Sequence, residues 1–261
     1  MEEFAWKRYW RRPSDVVALT DEGYLVVPGE DPRLSRNPAA LPFAEIAAKS
    51  CLALIGELGL GKSTELRRLA EEESARGGPV LSVSLGDYRE EEAARREIFE
   101  DRRFNAWAQG DETLTIFLDG LDEGLVTNRR LAGQLAHQFA KHDRARLRLR
   151  ITCRAEAWTR EISEQLQRLW GSDAAVYELL PLRREDIALA ARQGGVADAD
   201  AFLDEVARRG LGPLAARPLT LRLLLNIARR GQAFPDSASE VFRRGCTLLC
   251  EGLRQESDEG W

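Results

Sequence analysis

The sequence predicts an α/β fold: a three-layer parallel sheet with helices on both faces, followed by a small all-α helical subdomain. Two observations carry this. Between about residues 50 and 180, short apolar runs ending in Gly or Asp alternate with longer amphipathic stretches, the rhythm of strand, helix and returning strand. After Pro181 the strand signals cease and helix-length segments follow, punctuated by Gly194-Gly195, Gly210, Gly212-Pro213 and Pro235. Of the 261 residues 44% are hydrophobic, enough apolar material for a full core.

Residues 1–46 read as an irregular lead-in carrying Trp6, Trp10 and one strand candidate, Tyr24-Leu25-Val26-Val27. The run 51–55 is a short buried strand that stops at Gly56. Residues 63–75 have helical spacing, with Leu66, Leu69 and Ala70 on one side. Strands follow at 80–85, 113–118, 147–152 and 176–179. Helical stretches lie between them, to about 107, at 128–141 and at 160–170. Strands joined by helices of this length imply parallel pairing. Helices are then expected at 183–193, 199–209, 217–230 and 237–253. The organisation is a lead-in (1–46), an α/β core (47–180), a helical subdomain (181–235) and the start of a further region (236–261).

Composition narrows the function classes. A net charge of −5 gives no bulk basic footprint of a nucleic-acid binder. Arg144, Arg146, Arg148 and Arg150 alternate with Ala145, Leu147 and Leu149, which reads as a half-buried strand with its arginines on the wetter side; a phosphate-tracking patch is the other reading. No run reaches the 18 or so apolar residues needed to cross a bilayer, and the Met-Glu-Glu-Phe start has no signal-peptide pattern, so a cytoplasmic chain with no membrane partner is expected. The four cysteines, Cys51, Cys153, Cys246 and Cys250, form no Cys-x-x-Cys pair and read as apolar-flanked thiols; Cys246 and Cys250, one helical turn apart, are the only metal-pair candidate.

Chemistry concentrates in three places. Gly56-Glu57-Leu58-Gly59-Leu60-Gly61-Lys62-Ser63 meets the phosphate-loop pattern in full, directly after an apolar strand and directly before an amphipathic helix. Main-chain N–H groups of such a loop point at a phosphate, Lys62 offers a charge to its oxygens, the helix start adds a positive dipole end, and Ser63 reaches Mg²⁺. An average chain of this length matches the pattern by accident about once in a hundred. The second place is the strand ending at Asp119, followed by Gly120, Leu121, Asp122 and Glu123. Asp119 is the expected Mg²⁺ ligand, through water, and Glu123 is favoured over Asp122 as the base that takes a proton from the attacking water. Third, Arg154 at the end of the fourth strand is a candidate for sensing the γ-phosphate, if that strand lies between the first and third; a surface arginine closing the strand is the alternative.

Gly-Glu-x-Gly-x-Gly-Lys-Ser-Thr (56–64), Leu-Asp-Gly-Leu-Asp-Glu (118–123), Thr-Cys-Arg (152–154) and Arg-Pro-Leu-Thr-Leu (217–221) together resemble a NACHT module of the STAND group of P-loop ATPases, over roughly residues 47–230. The segments 104–107 and 246–251 further resemble large bacterial NACHT-like phage-defence proteins. The resemblance implies ATP or ADP bound by Gly56, Glu57, Gly59, Gly61, Lys62, Ser63 and Thr64, with Mg²⁺. It implies that Pro218 contacts the adenine, that Arg154 is the sensor arginine, and that a winged-helix region starts near residue 237. It also implies self-association on activation, with effector and sensor domains missing from this chain, which is therefore expected to be a fragment.

Three function classes follow: a switch closed by ADP and opened by ATP, a continuously cycling AAA+-like ATPase that loads or remodels a partner, and a binding module that never hydrolyses. The cycling class requires an arginine from a neighbouring subunit, for which Arg129 and Arg130 are candidates. Intact Asp119 and Glu123 argue against the third class.

Overall fold

The computed structural model describes residues 4, 6–27, 37–88, 92–234, 237 and 239–243. It divides into two compact units, one of Trp10–Asp15 with Leu41–Leu179, the other of Met1–Tyr9, Val16–Ala40 and Leu180–Trp261.

The first unit is the α/β core. Its strands are β1 (Tyr9–Arg11), β2 (Leu41–Pro42), β3 (Cys51–Gly56), β4 (Val80–Ser84), β5 (Leu114–Asp119), β6 (Leu147–Arg154) and β7 (Ala174–Leu179). They form one sheet in the order β2-β1-β7-β3-β6-β5-β4. The five strands from β3 to β7 run parallel, and β1 closes against β7 antiparallel, pairing Trp10 with Leu179. The chain-order third and fourth strands of the parallel set are therefore neighbours, and β6 lies between β3 and β5, the arrangement that the role expected of Arg154 requires.

Alternation along β3 explains the layers. Cys51 and Ile55 belong to one apolar layer, and Leu52 and Leu54 to the other. The first layer is covered by α3 (Ala93–Phe99), α4 (Arg102–Gln109), α5 (Leu121–Thr127), α6 (Leu131–Phe139) and α7 (Arg160–Trp170), through residues such as Ile98, Phe104, Leu135 and Leu166. The second is covered by α1 (Phe43–Ile46) and α2 (Lys62–Ala75), through Ile46, Leu66 and Leu69. A strand with both faces covered is apolar throughout, as β3 is.

The lead-in departs from expectation. Trp10 is fully buried among Leu52, Leu54 and Leu60, because β1 supplies the partner that the open edge of β7 needs. Residues 10–15 and 41–46 thus belong to the core. Tyr24 to Val27 are buried yet form no strand beyond an isolated bridge from Leu25 to Leu19. Their polar backbone is satisfied elsewhere: Leu25 N–H donates to Leu182 O, and buried Asn37 donates to Val26 O.

The arginine-rich stretch differs too. Within the stretch Arg148 is exposed, whereas Arg150 is only 4% exposed. Its guanidinium donates to the carbonyls of Ala47, Lys49, Ser50 and Leu149, tying the turn before β3 to β6. Burial pushes its pKa down to about 10, so the group stays charged at neutral pH. Arg144 donates to Leu169 O and Ala140 O, and Arg146 lies over Trp107 while donating to Gly110 O. These donors are engaged with the fold, while Arg148 is exposed.

The second unit holds α8 (Arg184–Gln193), α9 (Ala199–Arg208), α10 (Gly212–Ala215) and α11 (Pro218–Arg229) around one apolar cluster that includes Tyr24, Ile187, Val206 and Leu224. Asp186 begins α8 with a buried ion pair to Arg183 (2.8 Å) and accepts from Lys7 N–H, fastening the N-terminal residues to this helix. Cys246, Cys250 and nearly all of the region from 236 lie outside the described residues.

Arg150→Met should destabilise the protein by about 2 kcal/mol or more, since it removes a buried donor from the carbonyls of Ala47 and Lys49; urea unfolding measures it, and an unchanged midpoint would contradict the tie.

Candidate functional site

The carboxyl ends of β3, β5 and β6 meet at one edge of the sheet, and the chain leaves β3 and β5 through glycines. Gly61 has φ 88° and ψ 26°, a left-handed turn that L side chains resist, and it caps α2 directly before Lys62. The first main-chain N–H groups of α2 are thereby presented at the loop. Leu60 is 4% exposed and sinks into the layer under β3, anchoring the loop, whereas Leu58 is exposed at its tip.

The Lys62 ammonium donates to Gly56 O (2.7 Å) and Glu57 O (2.9 Å), so the loop's own carbonyls fix where the charge stands. Burial lowers its pKa, Asp122 raises it and Arg154 lowers it further. These three charges therefore form one electrostatic group.

Asp122 binds Arg154 twice: Oδ1 accepts from the Arg154 main-chain N–H (3.0 Å) and Oδ2 pairs with Nε (2.9 Å). Arg154 stands opposite Gly56 in the β3–β6 register, beside the first residue of the loop. Both carboxylate oxygens of Asp122 are thus committed to Arg154. Glu123, one residue on, is exposed and lies in the first turn of α5 against Gly86 and Gly120.

Asp119 closes β5. The Thr152 hydroxyl from β6 donates to Asp119 Oδ1 and accepts from Gly120 N–H (2.9 Å), one side chain fixing both the carboxylate and the turn after it. Ser63 and Asp119 line the same cleft of about 600 Å³, together with Ser84 and Asp87. A hydroxyl and an oriented carboxylate across one cleft fit a hard, water-retaining cation such as Mg²⁺, which takes few protein ligands. Among the described residues no three His, Cys, Asp or Glu side chains gather as a protein-only metal cage.

Lys62, Ser63, Asp119, Asp122, Glu123 and Arg154 are all in the α/β unit, at one sheet edge. Pro218 belongs to the other unit, buried at the first position of α11. Cys51 and Cys153 are buried free thiols, and burial pushes both up to about 12, which makes them poor nucleophiles. Sequence reasoning gave Thr152 no role and could not pair Asp122 with Arg154, because those bonds join residues on separate strands and loops, 32 or 33 positions apart.

The doubly covered parallel sheet, with this loop between β3 and α2, defines a P-loop NTPase fold. No protein-family model matches the sequence, and no curated protein does. Among solved structures, domain III of the Thermotoga maritima replication initiation protein DnaA aligns at 15% identity with a TM-score of 0.48, over 80% of this chain and 88% of that one. AMPPCP-bound DnaA from Aquifex aeolicus aligns at 14% identity and 0.47, over 70% and 58%. A point variant of Thermotoga maritima RuvB aligns at 16% identity and 0.45, over 76% and 62%, so the chain spans less than two thirds of that protein.

Thr152→Val should lower the unfolding free energy by about 1–3 kcal/mol, because it strands the Gly120 N–H and frees Asp119; urea denaturation reads this, and a change within error would remove Thr152 from the site's framework.

Proposed function

We propose that this chain binds ATP and ADP with Mg²⁺ and hydrolyses ATP slowly, as the nucleotide switch of a NACHT-type STAND protein. The observation that carries the proposal is the placement of Lys62, tethered over the loop and electrostatically coupled to Asp122 and Arg154 at the edge where β3, β5 and β6 end.

Each residue then has a task. Loop N–H groups from Gly59 to Ser63 and the Lys62 ammonium hold the β- and γ-phosphate oxygens, with Glu57 and Thr64 flanking them. Ser63 and Asp119 would hold Mg²⁺, which would neutralise charge on the phosphate oxygens. Arg154, held by Asp122, meets charge developing on the γ-phosphate. Glu123 takes the proton of the water whose oxygen attacks the γ-phosphorus, while the bond to the ADP oxygen breaks. Commitment of both Asp122 oxygens to Arg154 supports Glu123 as this base.

Pro218 contacts the adenine, so that nucleotide bears on the helical subdomain as well as the core, and binding energy that differs between two forms shifts their populations. Self-association in the ATP form, with effector and sensor domains elsewhere in a longer bacterial immune protein, belongs to the same proposal. It is supported by the motifs at 56–64, 118–123, 152–154 and 217–221.

Lys62→Ala should abolish ATP binding in a fluorescent-nucleotide titration, and wild-type affinity in that variant would sink the phosphate site. Glu123→Gln should retain ATP while turnover falls at least about a hundredfold. Asp122→Asn should weaken turnover through Arg154; if it alone gives the ATP-trapped behaviour, the base is Asp122. Slow turnover in the wild type, on the order of one per minute or less, marks the switch, whereas rapid turnover stimulated by a partner marks the cycling ATPase.

A further inference from the structure

The 3₁₀ turn Leu85–Asp87 continues directly from β4 and lies against the first turn of α5. Two glycines make this contact close, one on each side. A Cβ on Gly86 would collide with Glu123 Oε2 and stand 3.1 Å from Glu123 Cβ and 3.3 Å from Cδ. A Cβ on Gly124 would stand 3.1 Å from the Leu85 Cβ. Each segment therefore receives a side chain of the other where it has none itself.

Glu123 needs such a seat. Its side chain is exposed, and a free glutamate samples many rotamers, whereas a general base must be held close to one geometry. Gly120 supplies a second bare surface: its left-handed φ of 74° starts α5, and a Cβ there would stand 3.3 Å from Glu123 Oε2. We propose that the Leu85–Asp87 turn is the positioning element of the Glu123 carboxylate, with Gly86 as the residue that admits it. The inference rests on the reading of Glu123 as the base. Gly86 does not have a positive φ, so alanine suits its backbone, and the three atoms nearest the added methyl all belong to Glu123. The substitution therefore probes the seat rather than the turn.

Gly86→Ala should lower kcat for ATP at least tenfold while the Kd for ATP changes less than twofold and the thermal midpoint is kept. Placed on Glu123→Gln, it should change residual turnover by less than twofold, since the group it displaces no longer acts. Glu123→Asp adds no atom and withdraws the carboxylate from Gly86 by one methylene; it should also lose at least tenfold in kcat, which keeps the test open if Gly86→Ala fails to fold. Wild-type kcat in Gly86→Ala or in Glu123→Asp, alongside a dead Glu123→Gln, would overturn the positioning role and leave the base intact. Unchanged turnover in Glu123→Gln would overturn both.

Discussion

Parallel strands end together, and at their carboxyl edge each leaves polar groups without a neighbour in the ladder. The cross-strand bonds of the Thr152 hydroxyl, to Asp119 and to the Gly120 N–H, resolve this for β5 and β6 and set the rest of the site. They fix the last carboxylate of β5, and they fix the left-handed glycine from which α5 starts. The direction of Asp122 and Glu123 follows from that start. Because β6 lies between β3 and β5, the same strand carries Arg154 to the loop on its other side.

The charges at this edge act on one another within a small group. Lys62 is partly desolvated, which disfavours its charged form, and Asp122 offsets part of that cost. Asp122 also clamps Arg154, so one carboxylate disciplines two cations. A site arranged this way keeps its positive groups in place before any anion arrives, and preorganised charge of that kind is what phosphoryl transfer draws on. The doubled acidic ending of the β5 segment thus has a division of labour: Asp119 beside the cleft, Asp122 for the arginine, Glu123 seated on Gly86.

The helical unit rests on different physics. Its helices are short, and a helix of ten residues is marginal alone, so packing holds them. Segment 16–27, which contains no regular element, is part of that packing: Tyr24 is buried in the helical cluster, and Gly23 meets Pro213 closely. The buried Arg183–Asp186 pair and the Lys7 N–H bond then draw the N-terminal residues onto α8. Apolar side chains of the lead-in join both larger cores, Trp10 one and Tyr24 the other, while Leu25, Val27 and Ala40 form a smaller cluster with Leu180.

The sequence by itself determined whatever depends on local spacing. The phosphate loop needs glycines at fixed offsets between a strand and a helix, and that pattern is contiguous, so Lys62 and Ser63 were legible at once. The order of strands and helices, the acidic end of β5 and the helical character after Pro181 were legible for the same reason. Tertiary structure alone decided what depends on distant partners. Arg150 reads as a surface arginine until the turn at 47–50 surrounds it with carbonyls, and Trp10 reads as part of a loose leader until β7 leaves an edge to cover. Thr152, the Asp122–Arg154 clamp and the fit of Glu123 on Gly86 join residues more than thirty positions apart. No periodicity marks them, because bonds between strands are set by sheet order, and sheet order is fixed by packing.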